Sequence, residues 1–151
     1  MSEVRTAPHA GDRIPALHLR PGPVQMFQFS AAVSNPHRIH YDRRWAIETE
    51  GYPDIVVQGH MQAALLARAV TDWAGPRGRL VRFAMQNRGA AFADEALRFE
   101  GVVSAVSEAE GETVVELDLV AMKEDGTVLG PGTATVTIRD RGAHEGVDKW
   151  G

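Results

Sequence analysis

The sequence contains no cysteine, which excludes disulfides, thiolate metal sites and a cysteine nucleophile. It has no basic excess either. Sixteen Lys and Arg stand against twenty Asp and Glu, a formal charge of −4, whereas dedicated nucleic-acid binders carry a strong positive surplus. No run approaches the ~18 apolar residues of a membrane helix, and the first residues, MSEVRTAPHAGDRIPALHLRPGPV, hold no apolar core of signal-peptide length. Two signatures are also missing. Without G-x-G-x-x-G dinucleotide binding has no foothold, and without G-x-S-x-G or a serine in an activating context neither has serine-triad chemistry. These absences lead us to expect a soluble cytoplasmic protein.

What is present is ordinary globular material, 44% hydrophobic and 24% charged over 151 residues, the size of one domain with a real core. Four prolines (Pro8, Pro15, Pro21, Pro23) fall in residues 1–23, so this stretch is expected to be an extended arm. Residues 24–30, VQMFQFS, alternate closely enough to predict a strand. Asp42 is placed to cap a short surface helix that Gly51 ends. From Met61 to Ala74 apolar positions surround almost the whole circumference, which predicts a long buried helix, stopped at Gly75-Pro76. After it the period changes to two. Val115, Leu117 and Leu119 alternate with Val114, Glu116 and Asp118, and Glu110-Gly111 and Asp125-Gly126 sit where hairpin turns belong. The expected fold class is α+β: about four antiparallel strands wrapped around one long helix, spanning residues 24–140, with a flexible tail over 141–151.

One stretch concentrates chemistry. Residues 35–42, NPHRIHYD, hold two histidines, an arginine, a tyrosine and an aspartate. As a metal site, His37, His40 and Asp42 make only a weak H-x2-H motif, and no metal is expected. As an acid–base site the stretch is better equipped. His40 titrates near neutral pH, and the Asn35 amide can orient a water or a carbonyl. The long helix begins near Gln58-Gly59-His60, where free N–H groups point outward. Gly59, lacking a side chain, lets a carbonyl oxygen approach as in an oxyanion hole. Each residue also has a plain structural role open to it: Asn35-Pro36 starts turns, His40 and Tyr41 can fill a loop boundary, and Gly59 can mark close packing.

With these residues in view, the sequence resembles the MaoC-like hydratases and dehydratases of the hotdog fold. The resemblance rests on FSAAVSNPHRIHYD (residues 29–42) and GYPDIVVQGHMQAALL (residues 51–66), and more loosely on the strands beyond. It implies that His40 is the catalytic histidine and Gly59 the oxyanion-hole glycine, with Asn35 where the family's usual aspartate stands. The loop is similar in particular to a subgroup reading N-x-H-R-I-H-Y-D. Arg38, Tyr41, Gln58 and His60 are then the expected substrate contacts, with Gln58 replacing a frequent histidine. No cofactor is implied. The implied substrate is an enoyl or 3-hydroxyacyl thioester of coenzyme A or acyl carrier protein. Residues 70–76, VTDWAGP, resemble small subunits of actinobacterial hydratases of steroid side-chain breakdown, so a homodimer or a heteromer with another hotdog subunit is expected. Two other functions stay open. One is a non-catalytic thioester-binding subunit, motivated by Asn35 in place of an acid. The other is a hotdog thioesterase, which needs a carboxylate on the long helix, where Asp72 is the only acid.

Overall fold

A computed structural model describes residues 7–139. Its elements are β1 (Leu17–Leu19), α1 (Pro23–Ala32), a 3-10 turn (Arg38–His40), α2 (Arg43–Glu48), α3 (Gly59–Ala74), β2 (Gly78–Met85), β3 (Leu97–Ala109), β4 (Glu112–Lys123) and β5 (Val128–Arg139). The five strands make one antiparallel sheet in the order β1-β3-β4-β5-β2. The expected tail over 141–151 lies outside the described residues.

The period-two pattern does what it predicts. Val115, Leu117 and Leu119 are buried while Glu116 and Asp118 are exposed, because one face of the sheet is packed and the other solvated. The β3–β4 hairpin turns at Glu110 (φ 53) and Gly111 (φ 78), two consecutive left-handed residues that match the twist of the strands. Leu66 and Val70 of α3 meet Phe99, Leu117, Leu129 and Val136 of the sheet in one core. Gly75, at φ 69, ends α3.

The structure refines three expectations. Of the expected arm over 1–23, residues 1–6 lie outside the described residues and Pro23 opens α1, while the part between is stitched onto β3: Leu17 pairs with Phe99, and Gly11 N donates to Val103 O at 2.8 Å. Residues 24–30, expected as a strand, are helical instead. Gly22-Pro23 is the reason. Proline at the first helical position has its φ preset for a helix, and Gln25 Oε1 reaches back to accept from Gly22 N at 3.3 Å. Met26 and Ser30, four residues apart, then face the core together. The third is α3, which is not buried all round: His60, Ala64, Arg68 and Asp72 form an exposed stripe. Alanine tolerates either environment at little cost, so it hid the stripe in the apolar count.

Candidate active site

The site is built from two loops held against each other. After α1 the chain doubles back. Asn35 N donates to Ser30 O at 2.9 Å, and the Asn35 side-chain oxygen accepts from His37 N at 3.2 Å, a local turn that asparagine favours. Tyr41 Oη closes the loop by donating to Pro36 O at 2.7 Å. Asp42 caps α2 through Trp45 N at 3.0 Å and holds the Arg38 guanidinium at 2.6 Å. The Trp45 N–H, and after it Arg38, keep the Asp42 carboxyl below the usual carboxylate range.

His40 is the only histidine in this loop that is buried, at 8% exposure. Its Nδ1 lies 2.7 Å from Val56 O. A carbonyl only accepts, so Nδ1 carries the proton and Nε2 keeps its lone pair. The backbone reinforces the clamp, with Val56 N donating to Ile39 O at 2.9 Å. Burial pulls the His40 pKa down; the Val56 carbonyl works against that, and the His37 and His60 rings lower it further. The net direction is downward, so the neutral base is the resident form at neutral pH.

Three residues after Val56, Gly59 opens α3, so the segment that fixes the histidine also delivers the helix N-terminus. A Cβ on Gly59 would collide with the amide nitrogen of Asn87, and would lie 3.3 Å from its Cγ.

Beside the loop is a cavity of about 350 Å³ lined by Phe27, Ser30, Ser34, Asn35, Pro36 and Tyr41. Asn35 faces it and His40 is not among its lining residues, nor does a hydrogen bond join the two side chains among the described residues. His37 and His40 are neighbours, with ring centroids 5.9 Å apart, and His60 is exposed at the helix start. The expected substrate contacts therefore separate. Tyr41 lines the cavity, while Arg38 is occupied by Asp42 and stacks 4.0 Å over Trp45. Gln58 is fully buried and donates to Met26 O at 2.7 Å and Ser30 Oγ at 2.8 Å, tying α3 to α1.

Sequence reasoning missed the Val56 carbonyl, Ser30, Gln62 and Asn87. Gln62 is 1% exposed, and neither of its side-chain polar atoms has a protein partner among the described residues. Replacing such a group by an apolar side chain of similar shape recovers its desolvation cost, about 1–3 kcal/mol. Gln62→Met is therefore expected to raise the unfolding free energy, measured by urea titration, by that amount, and a lowered value would mean the amide is well bonded in solution. Asp72 is exposed and paired with Arg68 at 3.3 Å, away from the helix start. Among the described residues no group of three or more His, Asp or Glu side chains is arranged to hold a metal ion, and no helix is long and apolar enough to cross a membrane.

Comparison with known proteins bears on this geometry. The family model for hydroxyacyl-thioester dehydratase type 2 matches residues 2–93. Mesaconyl-C(4)-CoA hydratase of Chloroflexus aurantiacus is 54% identical over 46 residues, 30% of this chain but only 16% of that protein's length. The beta subunit of 3-oxo-4,17-pregnadiene-20-carboxyl-CoA hydratase of Mycobacterium tuberculosis is 30% identical over 98 residues, 65% of this chain and 75% of that subunit. Among solved structures, a chain of the ChsH1-ChsH2 complex from the same organism superposes with a TM-score of 0.76 at 25% identity, covering 87% of this chain and 98% of that one. The curled sheet around a central helix is the hotdog fold.

Proposed function

The chain belongs to the hydroxyacyl-thioester dehydratase type 2 family, and from that premise we propose that it is a cofactor-free hydro-lyase. It adds water to a 2-enoyl thioester or removes it from the 3-hydroxyacyl thioester. Gly59 N–H polarises the thioester carbonyl. His40 Nε2 takes a proton from a water held with Asn35, the hydroxide adds at C3, and the proton on His40 is delivered to C2 as the enolate collapses. Dehydration runs the same steps backward.

The observation that carries this proposal is the clamp at Val56. One short segment fixes the His40 tautomer at 2.7 Å and, three residues later, presents the Gly59 N–H, so base and oxyanion donor share one rigid frame. Asp72, exposed and paired at the other end of α3, gives the thioesterase alternative no carboxylate near that frame. The test is loss of the conjugated enoyl-thioester absorbance on a panel of enoyl-CoAs, with free thiol followed in parallel. Hydration without thiol release supports a hydro-lyase; thiol release sinks it.

The lowered His40 pKa sets the pH dependence. Protonation removes the base, so kcat/KM should hold through neutral pH and fall only as pH drops through a value below the ordinary ~6.5 of histidine. An acid limb centred above that value would exclude this buried imidazole as the base.

The bearer of the acyl group is coenzyme A or acyl carrier protein, and the setting is the cytoplasm. The chain works paired with a second hotdog subunit, a copy of itself or another. The similarity to a beta subunit and to a chain of a two-component complex supports the pairing. Asn35 also supports a version in which the partner supplies the chemistry, because its amide oxygen is engaged by His37 N and an amide cannot take up a proton as a carboxylate does. Turnover by the isolated chain excludes that version.

A further inference from the structure

The path of the chain after α3 brings an unexpected group to the helix start. α3 has sixteen residues and β2 eight, so a helix of about 24 Å is followed by a strand of about 26 Å. The strand lies against the helix in the same core, with Leu80, Phe83 and Met85 packed inward. The loop that follows is thereby delivered back to Gly59. It is held there by backbone bonds to β5 and its leading residues: Gln86 N to Pro131 O at 3.0 Å, Arg88 N to Leu129 O at 2.8 Å and Gly89 N to Leu129 O at 2.9 Å.

Between these anchored residues stands Asn87. Its side chain is exposed and has no protein hydrogen-bond partner among the described residues, yet its amide nitrogen presses on the face of Gly59 where a Cβ would be. The Gly59 N and Cα are one bond apart, about 1.46 Å. A donor in contact with the Cβ position therefore sits beside the place where an oxygen accepting from Gly59 N–H would lie. A free amide N–H₂ beside a backbone N–H makes a two-donor arrangement for one carbonyl oxygen, the geometry that stabilises charge developing on that oxygen.

We propose that Asn87 is a further catalytic residue: its side-chain amide is the second hydrogen-bond donor, with Gly59 N–H, to the thioester carbonyl oxygen. The assignment rests on the hydration reading above and deepens it. It also gives the glycine a reason beyond helix geometry, since any side chain at position 59 displaces the second donor as well as crowding the first. The donor matters more as negative charge builds on the oxygen, so its removal lowers kcat more than it raises KM.

Asn87→Ala and Asn87→Asp are compared with wild type on an enoyl-CoA that the wild type hydrates. Both side chains lie in an exposed, backbone-anchored loop, so unchanged circular dichroism and melting temperature are expected. Alanine should lower kcat about tenfold to a hundredfold with KM shifted less, at or below the range for losing one oxyanion donor. Aspartate should be worse, because a carboxylate opposes the developing charge. A second readout separates contact with the carbonyl from mere support of the loop. In a His40→Gln background, which keeps the bond to Val56 O and turns over far more slowly, bound enoyl-CoA read before turnover should show a red-shifted thioester absorbance, and adding Asn87→Ala should shrink that shift. Unchanged kcat in a hydrating enzyme, or an undiminished red shift, overturns the assignment alone. A wild type inert toward every enoyl-CoA in the panel sinks the hydration reading and takes this assignment with it.

Discussion

Replacing His40 by alanine is expected to lower kcat/KM for enoyl-thioester hydration by about 10²–10⁴-fold, the range for losing a positioned general base. The effect is large because nothing near it can substitute. His37 Nδ1 is engaged by Ile39 N at 3.4 Å, His60 is exposed, and Asn35 is no base. His40 is buried and hydrogen-bonded, so alanine also threatens the clamp at Val56. His40→Gln answers that concern, because its amide can still donate to the Val56 carbonyl while lacking a basic nitrogen. Both variants should show this loss and the glutamine variant should remain folded. If either hydrates a good substrate at the wild-type rate, His40 is not the base.

The second large effect is expected at Gly59. Gly59→Ala should reduce kcat by about 10²–10³-fold, comparable with the loss of an oxyanion-hole donor, because the new methyl occupies the space through which the carbonyl oxygen approaches and evicts the Asn87 amide. Stability should move the other way. Alanine in a helix loses less conformational freedom on folding than glycine, by roughly 0.5–1 kcal/mol, and the neighbour to be displaced is the end of an exposed side chain. An enzyme that is crippled while melting no lower than wild type is therefore the expected signature. Full activity in Gly59→Ala would show that the reacting carbonyl does not approach this helix terminus.

The parts of the molecule that were legible in the sequence are those whose burial follows a local period. Leu117 and Leu119 face inward because every second residue of β4 must, and α3 is long because fifteen residues beyond Gly59 contain no helix breaker. α1 was not legible because VQMFQFS is too short to separate period two from period 3.6: Met26 and Ser30 share a face under both. Gly22-Pro23 was the available signal. For the candidate site, NPHRIHYD offered His40 as the candidate base, but which of its ring nitrogens is free depends on Val56, sixteen residues away. Gln58, the residue before α3, is bonded to Met26 and Ser30 of α1, some thirty positions earlier, and no window spans that distance. Asn87 reaches Gly59 only because β2 retraces the length of α3. In each case the missing information was a tertiary return of the chain.

The stitched arm has a consequence for assembly. A β-sheet grows at its edges, and among the described residues the two edges here are unequal: β1 offers three residues, β2 eight. Short edge strands are poor templates for recruitment of another chain. Addition through β2 of one copy to β2 of another would consume the longer edge strand of both and leave outward the side where β1 and the arm residues Gly11 and Arg13 run along β3 as far as Val103. Strand pairing through β2 is then used up in a pair of chains, and the β1 side offers a third chain only a short edge strand. In this fold the arm works as a terminator of the sheet.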